Sequence, residues 1–215
     1  MEQADTAKAG GLRIAVLLSG TGRTLENLIA VIGRGELRAS VVAVVSSRAS
    51  VRGNDVARAA NLPLFVVPRR RFASVESFSQ AVYASLDPFA VDLIVLAGFL
   101  SQLTIPPAYR SRVMNVHPSL LPLFGGLGFW GERVHRAVLD AGMKVSGCTV
   151  HFVDEHYDAG PIILQRCVPV LEDDTTETLA ARVFVEEQRL YPEAIRLFGQ
   201  DRLRVDGQRV RILPA

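Results

Sequence analysis

The stretch Leu12-Arg-Ile-Ala-Val-Leu-Leu-Ser-Gly-Thr-Gly-Arg-Thr24 decides the fold of this chain. Its first seven residues are apolar with one exception, as expected of a strand that is buried on both faces of a parallel sheet. A glycine-containing turn follows, and apolar residues at helical spacing then run from Leu25 to Ile32, where Gly33 ends the pattern. Strand, turn and helix in this order form the first unit of a doubly wound α/β sheet.

The same alternation continues through the first half of the chain. It predicts strands at residues 40–45, 64–67, 92–96 and 112–116, helices at 54–60 and 74–86, and a short helix opened by Pro106 and Pro107. Strands that alternate with helices in this way are typical of parallel sheets. We therefore predict an α/β fold with a doubly wound, mostly parallel sheet, which is a Rossmann-like arrangement.

The second half of the chain has a different pattern. It predicts a helix at residues 132–141, an antiparallel hairpin of strands at 147–153 and 161–171, a long helix at 175–198 and a terminal hairpin at 202–212. The sequence Asp174-Thr-Thr-Glu177 is interpreted as the cap of the long helix. The sheet is therefore expected to end in an antiparallel C-terminal extension.

Composition and charge limit the function. The 215 residues are 49% hydrophobic, enough for one globular domain, and the net charge of +2 gives no reason to expect a nucleic-acid partner. The apolar runs are much shorter than the ~20 residues that span a bilayer, and residues 1–11 lack the apolar core of a signal peptide. We expect a cytoplasmic protein with no membrane partner, a disordered tail at residues 1–11 and a single domain at residues 12–215.

The cysteines and histidines do not suggest a metal site. Cys148 and Cys167 are too far apart for a CxxC motif, and we expect two buried free thiols. His151 lies in the middle of a predicted strand and is expected to be a hydrogen-bonded structural residue, whereas His135 and His156 are expected in solvent. Because no two histidines stand four residues apart, zinc is not expected.

The turn at residues 19–24 is a candidate anion site. The free N–H groups and the dipole of the helix that follows favour a phosphate, to which Arg23 adds a charge and Thr24 a hydroxyl. The turn is not a Walker loop, and Leu25 occupies the third glycine position of the dinucleotide fingerprint. From these residues alone, a phosphate site and a tight turn without a ligand are equally open.

Asn115 and His117 stand at the end of the fifth predicted strand, where open α/β sheets bind their ligands. Both alternate with apolar residues, so their side chains point to one face. Asn can donate to a developing oxyanion, and His can exchange a proton near neutral pH. Asp158 is the expected partner of His117, ahead of Asp154 and Glu155, and would raise the pKa of the imidazole. A His117 that only binds a loop carbonyl and an Asp158 that only forms a turn remain open.

Several short motifs then follow one another along the chain. They are Leu18-Ser-Gly-Thr-Gly22, Leu96-Ala-Gly-Phe99, Asn115-Val-His-Pro-Ser-Leu-Leu-Pro122, Gly147-Cys-Thr-Val-His-Phe-Val153 and Asp158-Ala-Gly-Pro161. Together they resemble the glycinamide ribonucleotide formyltransferases, a folate-dependent family, over about residues 12–198. The resemblance implies the formyltransferase fold and transfer of a formyl group from 10-formyltetrahydrofolate to glycinamide ribonucleotide, in purine biosynthesis. A related enzyme with a sugar amine or water as acceptor stays open, as does a non-catalytic nucleotide-binding module.

The resemblance also implies roles for single residues. The catalytic positions are Asn115, His117 and Asp158. The positions that bind the substrate phosphate are Gly22, Arg23 and Thr24. The folate-binding positions are Phe99, Leu100, Ser101, Gln102, Leu103, Asn115 and Asp154. Glu187 matches an acid that contacts the amine end of the substrate, and in the implied mechanism Asp158 keeps His117 charged.

The resemblance divides the domain into a phosphate-binding half at about 12–110, a folate-binding and catalytic half at about 111–200 and a hairpin at 201–215. It implies small-molecule partners, no metal, and a monomer or homodimer. The chain departs from the family pattern at several positions in the two binding sites. These positions are Arg23, Thr24, Val75, Ser101 and Leu127.

Overall fold

The computed structural model describes residues 11–214, so the tail predicted at residues 1–11 lies outside the described residues except for Gly11. The strands are β1 Leu12–Leu18, β2 Ala39–Ser46, β3 Leu64–Val66, β4 Leu93–Leu96, β5 Val113–His117, β6 Val145–Phe152, β7 Ile162–Pro169, β8 Leu203–Asp206 and β9 Arg209–Ile212. The α-helices are α1 Arg23–Gly33, α2 Arg52–Ala59, α3 Val75–Leu86, α4 Glu132–Asp140 and α5 Thr176–Gly199. Short 3-10 helices occupy Arg69–Arg71, Asp87–Phe89 and Pro107–Tyr109.

The strands form a single mixed sheet in the order β3-β2-β1-β4-β5-β6-β7-β9-β8. Strands β1 to β5 pair in parallel, and β6 is antiparallel to both of its neighbours, β5 and β7. The hairpin of β8 and β9 joins the sheet where Arg209 pairs in parallel with Ile162. The predicted fold class is therefore confirmed, including its antiparallel C-terminal extension.

Strand β1 lies in the middle of the five parallel strands and is buried on both faces, which explains its apolar sequence. Ile14, Val16 and Leu18 belong to a core cluster that includes residues of α1, α4 and α5. Ala15 and Leu17 belong to a second cluster on the other face, with residues of α3. Because neighbouring side chains enter different cores, a shift of one residue would exchange the two sets, and the register is fixed.

The end of strand β7 explains one wrong prediction. Cys148 on β6 is buried as expected, but Cys167 on β7 is exposed. Strand β9 pairs with β7 only at Ile162, so the middle of β7 has no neighbouring strand on that side. The next residue, Val168, points into the core cluster, so Cys167 points to the opposite face of the sheet and is exposed there, although its sequence neighbourhood is that of a strand.

Helix α5 begins with a reciprocal cap made by other residues than those predicted. Thr175 is the N-cap: its Oγ1 accepts from the Thr178 N–H at 3.3 Å, and Thr178 Oγ1 accepts from the Thr175 N–H at 2.9 Å. Asp174 instead pairs with Arg182, with 2.6 Å between carboxylate oxygen and guanidinium nitrogen. The helix starts where predicted, but the side chain of Asp174 pairs with Arg182 and does not form the N-cap.

Within residues 11–214, no helix is long and apolar enough to cross a membrane.

Tyr191 joins α5 to the centre of the sheet by hydrogen bonds. Its side chain is fully buried, and its hydroxyl oxygen lies 2.8 Å from the Met114 carbonyl and 3.0 Å from the Leu96 carbonyl. Those carbonyls belong to β5 and β4, the two strands whose ends carry Asn115, His117 and the segment after Leu96. The long helix is thus attached directly to the strands that position the candidate site.

Replacing Tyr191 by Phe is expected to lower the free energy of unfolding by about 1–3 kcal/mol, because buried carbonyls lose their donor while the ring is kept. Urea unfolding followed by circular dichroism measures the change, provided that the slope of the transition stays the same. An unfolding midpoint equal to that of the wild type would show that the hydroxyl does not stabilise the fold.

Candidate active site

The candidate site forms at the carboxyl end of β5, between β4 and β6. Asn115 pairs with His151 across the antiparallel β5–β6 contact, and His117 pairs with Thr149. Met114 and Val116 point into the core cluster on the other face. As predicted from the alternation, Asn115 and His117 share one face of the sheet.

Asp158 brings these side chains together. It follows β6 in a turn and adopts a left-handed conformation with φ of 54°. Its Oδ2 accepts from the Gly126 N–H at 3.0 Å and lies 3.4 Å from His117 Nδ1, while its Oδ1 lies 3.4 Å from Asn115 Nδ2. Asp154, the competing acid, instead accepts from the His156 N–H at 2.8 Å within its own turn. Asp158 is therefore the carboxylate that faces His117.

The ring of His117 is buried and its hydrogen bonds define its tautomer. Nε2 lies 2.8 Å from the Phe124 carbonyl oxygen, which can only accept, so Nε2 carries a proton. Nδ1 faces Asp158. Burial lowers the pKa of His117 below its ordinary value, and this effect outweighs the opposing Asp158 carboxylate and Phe124 carbonyl. A pKa below its ordinary value leaves the ring mainly neutral near pH 7 in the free protein, and the expectation that Asp158 keeps His117 charged during the reaction stays a prediction.

Asp158 itself stays ionised. Burial works to raise its pKa, but the contacts with His151, His117 and the Gly126 N–H together bring the pKa below its ordinary value, and the two imidazoles contribute when they carry a proton on the nitrogen that faces Asp158. The site therefore combines a neutral imidazole with a carboxylate next to its unprotonated nitrogen. A proton that reached Nδ1 would be stabilised there by the facing carboxylate.

His151 does more than the structural role predicted for it. Its Nδ1 lies 2.8 Å from the Phe152 carbonyl oxygen and so carries a proton, which leaves Nε2 as an acceptor 3.2 Å from Asn115 Nδ2. His151 thereby orients the Asn115 amide, with its two N–H groups aimed at His151 and Asp158. This function was missed, although the pairing of β5 with β6 would have placed the two residues opposite each other.

The predicted exposure of His135 to solvent is wrong. His135 was expected in solvent, but it is buried on the inner side of α4. Burial, with a smaller contribution from nearby His117, lowers its pKa to about 4. The apolar neighbours Val134 and Val138 were the signal, because they place His135 next to the buried face of the helix.

The loop after β5 is held in place beneath the site. Thr149 Oγ1 donates to the Ser119 carbonyl at 2.7 Å and accepts from the Leu121 N–H at 3.0 Å, and Gln165 Nε2 donates to the Leu121 carbonyl at 2.9 Å. The loop then passes Gly125, where an added Cβ would lie 2.5 Å from a Leu121 methyl carbon and 3.2 Å from Asp158 Cβ. These contacts fix the Phe124 carbonyl that binds His117.

The predicted phosphate turn is rigid and tightly packed. Gly22 has φ of 79° and caps α1, and a Cβ there would lie 2.6 Å from the Cα of Gly53. The Gly53 N–H donates to the Gly20 carbonyl at 3.0 Å, so α2 supports the turn. The first intrahelical bond of α1 is from Glu26 N–H to the Gly22 carbonyl, which leaves the earlier N–H groups at the helix start without intrahelical partners. Such a start favours an anion.

Arg23 and Glu187 are close enough for the charge of Arg23 to act on the Glu187 carboxyl group. The guanidinium of Arg23 stacks on the ring of Phe184 from α5, with its carbon 3.6 Å from the ring centroid. Burial raises the pKa of Glu187 to about 7, and the charge of Arg23 opposes that shift. The predicted phosphate end and the predicted amine end are thus close enough to act on one another. Phe184 was not singled out from the sequence.

The predicted folate wall consists of two segments that face each other. Of residues 99–103, Phe99 and Leu103 are buried and Leu100 is exposed, and Gln102 Nε2 donates to the Glu155 carbonyl at 3.3 Å. Residues 154–158 form the opposing side. A cleft of about 350 Å³ beyond them is bordered by Asp154 but not by the Asn115–His117–Asp158 group. Among the described residues, no group of three or more His, Cys, Asp or Glu side chains is arranged to hold a metal ion.

Fold and site together define a doubly wound α/β protein with an amide, an imidazole and a carboxylate grouped at the end of a central parallel strand. Those groups suit acid–base chemistry at a carbonyl carbon. Residues 12–195 match the family model described as Formyl transferase, and the chain belongs to that family.

Several known proteins of similar sequence and structure are named as glycinamide ribonucleotide formyltransferases. The chain is similar to glycinamide ribonucleotide transformylase 1 from Symbiobacterium toebii, with 42% identity, a TM-score of 0.89 and 96% of each chain covered. It is 41% identical over 202 residues to the trifunctional purine biosynthetic protein adenosine-3 of Bos taurus and 38% identical over 199 residues to the chloroplastic phosphoribosylglycinamide formyltransferase of Vigna unguiculata. These matches cover 93% and 91% of this chain, but 19% and 64% of the two relatives.

Proposed function

We propose that this protein transfers the formyl group of 10-formyltetrahydrofolate to the amine of glycinamide ribonucleotide, a step of purine (IMP) biosynthesis. The observation that carries the proposal is the position of Asp158, whose carboxylate oxygens lie 3.4 Å from both Asn115 Nδ2 and His117 Nδ1. That grouping supplies an oxyanion donor and a proton acceptor side by side. The names of the similar proteins support the choice of substrates.

In the first step the substrate amine attacks the formyl carbon, and the carbonyl becomes a tetrahedral oxyanion. Asn115 is the donor for that oxygen. Both of its N–H groups are directed at protein acceptors, and the contact with Asp158, at 3.4 Å, is longer than the contact with His151, at 3.2 Å. We expect the oxyanion to take the place of Asp158, while His151 keeps the amide oriented.

The second step moves one proton. The attacking nitrogen becomes positively charged and gives its proton to neutral His117 at Nδ1, where the Asp158 carboxylate stabilises the imidazolium. The same proton then passes to the leaving folate nitrogen, directly or through water. The carbon–nitrogen bond to folate breaks, the carbonyl re-forms, and His117 returns to its neutral state.

The other predicted residues bind the two substrates. Gly22, Arg23 and Thr24 hold the phosphate at the start of α1, and Glu187 accepts a hydrogen bond from the amine end. Since burial raises the pKa of Glu187 to about 7, part of it is ionised at neutral pH. The folate lies between residues 99–103 and residues 154–158. In this proposal the protein is cytoplasmic, acts on small molecules and works as a monomer or homodimer.

The deciding test is absorbance-monitored release of product from 10-formyl-5,8-dideazafolate, with and without glycinamide ribonucleotide. Release that depends on the ribotide is expected. Release without it would mean that water is the acceptor, and no release with either would require other acceptors, such as sugar amines, to be tested. Both of these outcomes would contradict the proposed acceptor.

Arg23→Ala is expected to raise KM for the ribotide about tenfold, because a charged hydrogen bond to phosphate is lost. The effect should fall on KM rather than on kcat, since the phosphate is remote from the reacting carbon. Arg38→Ala is the matched control: it removes the same charge from an exposed site beside the amino end of β2. Equal KM values for Arg23→Ala and the control would place Arg23 outside the phosphate site.

A further inference from the structure

The stack of Arg23 on Phe184 lies in a groove between α1 and α5. The groove measures about 530 Å³, and both residues line it. Asn27 Nδ2 on α1 donates to the Gln188 carbonyl on α5 at 2.8 Å, so the two helices are held at a fixed distance. Phe184 therefore presents its ring to Arg23 from a rigid support.

Among the described residues, Arg23 forms no ion pair with an acid, although its charge acts on Glu187. Glu26, in the first turn of the same helix, pairs with Arg52 at 3.0 Å, and Arg52 also donates to the Thr21 carbonyl. Within residues 11–214, no hydrogen bond or ion pair joins the Arg23 guanidinium to an acceptor. Its N–H groups are free for a ligand.

Stacking determines where those N–H groups point. A guanidinium is planar, and at 3.6 Å from the Phe184 centroid it is in van der Waals contact with the aromatic face. Its donors lie in the plane of the group, so contact through one face leaves the edge open. A free arginine side chain would lose rotamer entropy on binding, which a fixed one has already lost.

We infer that Phe184 is a positioning residue, which holds the Arg23 guanidinium with its donor edge towards a phosphate at the start of α1 and so sets the affinity for phosphate. The inference rests on the proposed function only for the identity of the phosphate-bearing substrate. Phe184 acts through Arg23 and touches no reacting atom. An aliphatic side chain at position 184 would fill part of the space without offering a π face.

The test measures binding of inorganic phosphate by titration calorimetry, which needs no turnover. Phe184→Leu is expected to weaken binding between about twofold and thirtyfold, the range of a cation–π contact from exposed to desolvated. Phe184→Tyr keeps the ring face and should bind as the wild type does. The double variant with Arg23→Ala should bind no more weakly than Arg23→Ala alone, because without the guanidinium the ring has nothing to position.

Several results would overturn the inference. The inference fails if Phe184→Leu binds phosphate as tightly as the wild type, or if Phe184→Leu weakens phosphate binding equally in the presence and absence of Arg23. It also fails if Phe184→Tyr binds phosphate as weakly as Phe184→Leu, or if the wild type binds no phosphate. Thermal unfolding of each variant checks that the fold is retained. With the ribotide, the Phe184→Leu effect should fall on KM. If phosphate binding follows the expected pattern and the ribotide is not formylated, the proposed function fails and the role of Phe184 stands.

Discussion

His117→Ala is expected to lower turnover by about 10²–10⁴-fold, the usual contribution of a positioned acid–base group, while folate binding survives. In the free protein the ring is neutral, with its proton on Nε2 and its basic Nδ1 turned towards Asp158 at 3.4 Å. Alanine removes the proton acceptor and leaves Asn115 and the Asp158 carboxylate in place. The reaction then depends on water to carry the proton.

The measurement is steady-state kinetics with both substrates, together with a binding titration. Titration calorimetry with the folate measures binding without turnover. Arg38→Ala, at an exposed position beside the amino end of β2 and outside both binding sites, is the control and should retain the wild-type rate. Turnover of His117→Ala within tenfold of the wild type would remove His117 from the proton path.

The fold was predictable because its signal is local. The nearly unbroken apolar run of β1 reports burial on both faces, and the strand–helix alternation reports parallel pairing. The sequence does not show which face of each strand is covered by other parts of the chain. Cys167 lies in a strand-like run, yet it is exposed because its neighbour Val168 takes the face that is covered by the core.

The site was predictable in part, for a similar reason. Alternation along β5 places Asn115 and His117 on one face, but the partner of His117 lies far along the chain and arrives through the β5–β6 pairing and a left-handed turn at Asp158. From the residues alone, three acids were candidates for that position.

The protonation state of His117 could not be predicted from its neighbours in sequence. A nearby carboxylate suggests a raised pKa, whereas burial under the loop that carries the Phe124 carbonyl lowers it. Which effect prevails depends on how completely that loop excludes water. The stack of Arg23 on Phe184 is likewise a product of helix packing, which no spacing rule describes.

Asp158→Asn is expected to lower turnover by about 10²–10⁴-fold with little change in shape. The carboxylate no longer stabilises a proton on His117 Nδ1, and the new amide N–H₂ faces either that basic nitrogen or the Asn115 N–H₂. The first contact would hold His117 neutral, and the second would set donor against donor. Turnover like that of the wild type would show that the carboxylate is not needed.

The Asp158→Asn variant also tests whether the Asp158 charge raises or lowers the pKa of His117. Burial places the pKa of His117 below its ordinary 6.5 and the Asp158 charge opposes burial, so removing that charge should lower the pKa further. Titration of the histidine ring protons by NMR, with the His117 signal identified by its loss in His117→Ala, reports the ring itself and not Glu187, which titrates near 7. A midpoint well above 7 in the wild type would mean that His117 enters the reaction charged at neutral pH. In that case it could give a proton to the folate nitrogen, but it could not first accept one from the amine.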